Sequence, residues 1–159
     1  MNKIGILFVV MALSAIAIQA FIASAAVTSD LSGTKAVLVT MINQDPDPAA
    51  SGEIVEIRLG IQNIGGKSAD NIAIEVVPTY PFEAVSGESL IQKVGTIKSY
   101  QTEGDMRIIR FKVGINKDAL AGTHQLKILQ YEEGRKDDFL VSSNINIEVR
   151  NTENAETVS

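Results

Sequence analysis

From Val55 to Gln62 the chain reads V-E-I-R-L-G-I-Q, with an apolar residue at every second position. A strand sends successive side chains to opposite faces, so a period of two makes a ribbon with one apolar face. The same period recurs along the chain. Val37, Val39 and Met41 share a face, as do Ile72, Ile74 and Val76. Ile109, Phe111, Val113 and Ile115 alternate with Arg110, Lys112 and Gly114, and Ile145, Ile147 and Val149 alternate with Asn144, Asn146 and Glu148. Leu90–Ile97 and His124–Tyr131 follow the pattern more weakly. One apolar and one polar face is the pattern of antiparallel sheets with a solvated side. Turn-forming runs separate the segments: DPDPAASG, NIGGKSAD, VSGES, QTEGD, KDALAG and EEGRKDD. No amphipathic helix falls between them, and NKDALAG alone has the character of a helical turn, too short to hold by itself. About seven strands of this rhythm predict an all-β fold, an immunoglobulin-like antiparallel β-sandwich. The chain has no cysteine and no tryptophan, so only the architecture of antibody domains is implied, without their disulfide and core indole.

The N-terminus departs from this pattern. Lys3 precedes a stretch from Ile4 to Val27 with no charged residue and only Ser14, Gln19 and Ser24 polar. Ala23-Ser24-Ala25 offers the small-x-small pattern of a signal-peptidase site, which predicts cleavage after Ala25. The uncharged run exceeds the usual signal core of about 7–15 residues. As a helix it is long enough to cross a hydrocarbon layer of about 30 Å. Residues 1–25 are therefore expected as a hydrophobic helix, either a cleaved signal or a retained anchor touching the membrane through residues 4–27. Either outcome places residues 28–159 outside the cytoplasm, because the positive charge lies before the span. A polar spacer over 26–34, a sandwich over 35–150 and a disordered polar tail over 151–159 complete the expected organisation.

Composition narrows the chemistry. Without cysteine there is no thiol nucleophile, cysteine zinc site or iron–sulfur centre. The net charge is −5, becoming −6 if Lys3 leaves with a signal, which disfavours binding to phosphate backbones. No Asn-x-Ser/Thr acceptor for N-glycosylation occurs in the chain.

Few residues suggest a site. Asn43-Gln-Asp-Pro-Asp-Pro-Ala-Ala-Ser-Gly-Glu53 places Asp45, Asp47 and Glu53 around two prolines. Calcium takes six to eight oxygens on a loop able to wrap it. This spacing does not match a D-x-D-x-D-G loop, and Pro46 and Pro48 each fix one φ. The stretch reads as a stiff elbow after the first strand, with Asp45, Asp47 and Glu53 a weak metal candidate and calcium the cation they would suit. EEGRKDD, Glu132 to Asp138, reads as a solvated hairpin tip, with a weak calcium contact or partner-facing tip as its alternative. His124 has no second histidine and no nucleophile motif around it, so it reads as a polar residue at a strand edge. Tyr80, Phe82 and Tyr100 are expected in core or corner packing rather than as a ligand platform. Asn63, before Ile64-Gly65-Gly66, is expected to close its turn by hydrogen bonding, the two glycines supplying positive φ. No set of catalytic roles is recognisable, so no enzymatic activity is expected.

The stretches NQDPDPAASGEIVEIRLGIQNIGG, NIAIEVVPTYPF and GESLIQKVGTI resemble the archaeal S-layer-related surface domains, immunoglobulin-like modules akin to the CARDB and NEW3 adhesion-type domains. The resemblance covers roughly residues 37–150. It implies an extracellular β-sandwich of the cell envelope with no catalytic activity, here as a single module without the C-terminal coiled segment and membrane helix of longer relatives. The expected role is structural or adhesive, with envelope proteins or the chain itself as partners and no nucleic acid. The alternatives are a calcium- or carbohydrate-binding module on the same fold, or a filament subunit assembled by strand exchange.

Overall fold

A computed structural model describes residues 31–137 and 141–151. The expected N-terminal helix, the start of the spacer, residues 138–140 and the tail beyond 151 lie outside the described residues. Among the described residues no helix is long and apolar enough to cross a membrane.

Among the described residues nine strands form in chain order: β1 (Val37–Asp45), β2 (Ala49–Ala50), β3 (Ile54–Asn63), β4 (Ala69–Val77), β5 (Phe82–Ala84), β6 (Ile91–Ile97), β7 (Arg107–Ile115), β8 (Gly122–Glu132) and β9 (Val141–Arg150). All seven strands expected from the alternation are present; β2 and β5 are additional and too short to show a period. The strands make two sheets, one ordered β1-β3-β7-β5 and the other β2-β9-β8-β4-β6. Every pairing is antiparallel except that of β2 with β9. The two sheets pack as an immunoglobulin-like β-sandwich.

The alternation explains the core. Val55, Ile57, Leu59 and Ile61 of β3 and Phe111, Val113 and Ile115 of β7 point from the first sheet into the interior. Ile72, Ile74 and Val76 of β4, Leu126 and Ile128 of β8, and Ile145, Ile147 and Val149 of β9 meet them from the second. Val37, Val39 and Met41 pack on the same cluster but stay half-buried, because β1 is an edge strand. Burying a side chain such as Leu59 or Ile57 contributes about 1.5–3 kcal/mol.

One buried amide ties the ends of several strands together. Asn63 is fully buried. Its Oδ1 accepts from the N–H groups of Ala36 (3.1 Å) and Gly65 (3.0 Å). Its Nδ2 donates to the carbonyls of Lys67 (2.8 Å) and Ile97 (3.4 Å). Two acceptor and two donor positions are the full capacity of an amide side chain. The expected turn-closing role of Asn63 is thus met and extended to β1 and β6. Gly65 and Gly66 do not adopt the positive φ expected of them. They are glycines because the chain before β1 lies against them: a Cβ on Gly65 would sit 2.3 Å from the Thr34 carbonyl oxygen, and one on Gly66 2.1 Å from that of Ser32. Leu31–Thr34, the described part of the expected spacer, is a turn whose Leu31 carbonyl accepts the Gly66 N–H at 2.8 Å.

The helical turn also falls elsewhere than expected. Residues 116–119 make a simple turn, and the 3₁₀ turn is Glu103–Asp105, in QTEGD. The Asp105 carboxylate accepts from the Thr102 N–H (3.0 Å) and hydroxyl (2.9 Å), which caps this turn, whereas at 116–119 the Asn116 side chain takes the Asp118 N–H (2.8 Å) and its carbonyl the Ala119 N–H (3.0 Å), closing a single turn. The bonds from Thr102, the backbone one foremost, hold the Asp105 carboxyl below the usual aspartate value.

Candidate functional site

The acidic elbow carries the chain from one sheet to the other. β1 pairs with β3 in the first sheet as far as Asp45, opposite Glu56. Two cis X-Pro bonds, Asp45-Pro46 and Asp47-Pro48, follow. Ala49 and Ala50 then lie parallel to Val149 and Arg150 of the second sheet. Asp45 and Asp47 are exposed. The Glu53 carboxylate accepts the Ala50 N–H at 3.0 Å while the Glu53 N–H donates to the Ala50 carbonyl at 3.1 Å, closing a reciprocal turn. Among the described residues no three His, Asp or Glu side chains gather in a group able to hold a metal ion.

The amide that secures this elbow is that of Gln44, within the same stretch. Gln44 is 4% exposed. Its Oε1 accepts the Glu148 N–H (2.8 Å), and its Nε2 donates to the carbonyls of Glu148 (2.9 Å) and Pro46 (3.0 Å). A side-chain amide thereby takes the place of a strand residue beside β9, where the prolines cannot donate. A polar residue at an otherwise outward position before D-P-D-P carries no sequence sign of this use.

The other candidates are dispersed. His124 lies near the start of β8, where β9 flanks it at Ile147 and β4 has not yet joined, so it does occupy a local strand edge. Its Nε2 lies 2.8 Å from the Leu120 carbonyl oxygen, and its ring meets that of Phe82 edge-on at 6.5 Å. Phe82 is in the core, as expected. Tyr80 and Tyr100 are not, being 69% and 64% exposed. The Tyr80 hydroxyl donates to the Asp118 carbonyl at one end of the sandwich, whereas the Tyr100 N–H donates to the Gly65 carbonyl at the other. Each tyrosine sits in a loop held by backbone bonds, with no interior wall to enter.

The hairpin tip after β8 is more organised than a solvated loop. The Glu133 N–H donates to the Asn71 carbonyl (2.8 Å), and the Glu133 carboxylate pairs with Lys93 (2.5 Å). Glu132 pairs with Lys35 and with Arg135. Lys136 reaches Glu75 (2.6 Å) and lies 4.9 Å above the Tyr131 ring. Beneath it, Ala73, Leu129 and Tyr131 form a small buried cluster on the outer face of the second sheet. Burial first, and the nearby Glu75 carboxylate second, push the Tyr131 phenol upward.

What the structure leaves open is a strand edge. Glu148 and Arg150 turn their backbone groups away from β8, toward Gln44, β2 and Ser51. By the two-residue period, Ser142, Asn144 and Asn146 turn theirs the same way. β2 pairs at Val149 and Arg150 and no farther. From Val141 to Ile147, β9 therefore has β8 on one side and, among the described residues, no strand on the other.

Comparisons with known proteins add fold likenesses. No family model matches the chain, and no curated protein matches it. Among solved structures, the crystal structure of the CARDB domain of the PF1109 protein from Pyrococcus furiosus, in complex with di-metal ions, is similar at 13% identity. That likeness covers 73% of this chain and 89% of the other, with a TM-score of 0.43. A solution structure of the same domain is similar at 12% identity, over 72% of this chain and 93% of the other, with a TM-score of 0.41. A β-glucosidase involved in saponin metabolism from intestinal bacteria gives 13% identity and a TM-score of 0.34, this chain spanning 16% of its length.

Proposed function

We propose that this chain is a non-catalytic β-sandwich module of the cell envelope, exported by its N-terminal segment, with a structural or adhesive role exercised by strand-edge association. The observation that carries this reading is the open edge of β9. The buried amides of Asn63 and Gln44 are spent within the fold, and the acidic residues of the elbow and hairpin are scattered or paired. Among the described residues, β9 offers a row of backbone donors and acceptors, which an extended partner strand satisfies by adding to the sheet. The S-layer-related resemblance and the uncharged run from Ile4 to Val27 agree with an envelope location.

The test combines location with edge blockade. The full chain is expressed in a producing host, and its intact mass is taken from envelope and medium fractions. A mass beginning at Ala26, or an intact chain in the membrane fraction, supports export. Asn144→Pro removes one outward N–H without touching the β8–β9 ladder. It is expected to release the module from larger assemblies while its melting transition stays cooperative. A chain that remains in the cytoplasm, or an Asn144→Pro variant that assembles as before, would contradict the proposal.

A further inference from the structure

We infer that the partner strand at this edge is β9 of a second copy, added antiparallel about a twofold axis at Asn144. The inference rests on the association reading above and names its partner. Three observations converge on it.

The first is the state of the other edges. β5, at one end of the first sheet, has three residues. β1, at the other end, is bulged between Met41 and Asn43 and stops at the prolines. β6 carries Lys93, two register breaks against β4 and a positive-φ Gly95, and the Arg107 guanidinium already occupies the Val94 carbonyl. These are the usual devices that keep edges from pairing. β9 has none of them between Val141 and Ile147: no proline, no bulge, no charged side chain.

The second is the length and placement of the open span. It begins where β9 begins, at Val141, and ends where Gln44 takes the Glu148 backbone. Its centre is Asn144. An antiparallel pairing of two such spans about that centre sets Ser142 against Asn146 of the other copy and Asn144 against its own counterpart. The outward groups of Ser142, Asn144 and Asn146 from both copies then make about six cross-strand hydrogen bonds. The covered part of each strand, from Glu148 onward, falls outside the paired region.

The third is side-chain compatibility. The residues brought opposite one another are serine and asparagine, so no like charges face each other, the arrangement that penalises strand pairing. The exposed Val141, on the other face, comes beside Ile147 of the partner copy. The net charge of −5 repels two copies at long range, so the association strengthens as salt screens it.

Because the chain has no cysteine, the register can be read by single-cysteine cross-linking of the full chain under mild oxidant. Asn144→Cys is expected to give a disulfide-linked dimer. Ser142→Cys mixed with Asn146→Cys is expected to cross-link, whereas Ser142→Cys alone is not, since the two copies of position 142 lie about four residues apart along the strands. Thr96→Cys on the β6 edge serves as the control and is expected to stay monomeric. Failure of Asn144→Cys to cross-link, or equal cross-linking at position 96, would overturn the inference. If the cross-link is missing but Asn144→Pro still releases the module from its assemblies, the β9 edge binds a different strand: self-pairing is then overturned while the association reading stands.

Discussion

Asn63 and Gln44 do similar work at opposite ends of the sandwich, each using a planar amide to replace backbone pairing that the chain cannot supply. Asn63→Asp keeps the acceptor side of the group and removes the donor side. The Lys67 and Ile97 carbonyls would then face a buried carboxylate oxygen. Leaving buried groups unpaired costs about 1–3 kcal/mol each, so urea denaturation is expected to show a loss of about 3 kcal/mol or more. A loss below about 0.5 kcal/mol, the range of ordinary surface substitutions, would show that these bonds carry little. Asp105 gives a pH-dependent counterpart. Its folded carboxyl is held below the unfolded value, so its contribution is present above the unfolded pKa and fades as pH falls through the folded one. Carbon-detected NMR titration is expected to place Asp105 below the ordinary aspartate value, and Asp105→Asn to remove that part of the acid-side slope. The role of Asn63 was legible from its place before two glycines. That of Gln44 was not, because Glu148, which takes two of its three bonds, lies 104 residues away in sequence.

At the scale of strands, the alternation located every long element and assigned the inward face of the five clearest, since one buried face is what a period of two records; in β6 the buried Val94 and Ile97 lie three apart, across the positive-φ Gly95. It could not show β2 or β5, which are two and three residues long. It could not give strand order either, and strand order is what leaves β9 exposed. The uncharged polar face of Ser142, Asn144 and Asn146 was readable in the sequence, but its meaning depends on the missing neighbour. The elbow shows the same division. The prolines announced a stiff turn; that it transfers the chain between sheets follows from β1 pairing with β3 and β2 with β9. Gln44→Leu tests how that transfer is held. The substitution fills similar space and removes three hydrogen bonds, so it is expected to cost about 1–3 kcal/mol. It is also expected to speed amide exchange at Glu148 and Ser51 more than at Ile57. Uniform acceleration across both sheets would instead indicate a global loss of stability.

For the molecule as a whole, the sandwich commits its buried amides Asn63 and Gln44 to its own fold and, among the described residues, leaves β9 with a straight, uncharged edge from Val141 to Ile147. The acidic elbow was the strongest sequence hint of a bound ion, and Asp45, Asp47 and Glu53 now stand along a turn with the Glu53 carboxylate holding Ala50. A site with one of its three carboxylates so engaged is a poor trap for a hard cation. Thermal melts with calcium and with chelator are therefore expected to coincide. A specific site would add about 2.7 kcal/mol at a hundredfold excess over its dissociation constant, and a shift of that size would reopen the elbow as a metal site. The most direct measurement of the central claim is residue-resolved amide exchange of the full chain over a range of protein concentrations. The account predicts that the N–H groups of Ser142, Asn144 and Asn146 become protected as concentration rises, while that of Lys93 on the β6 edge does not change. Fast exchange at all three β9 positions at every concentration would contradict it.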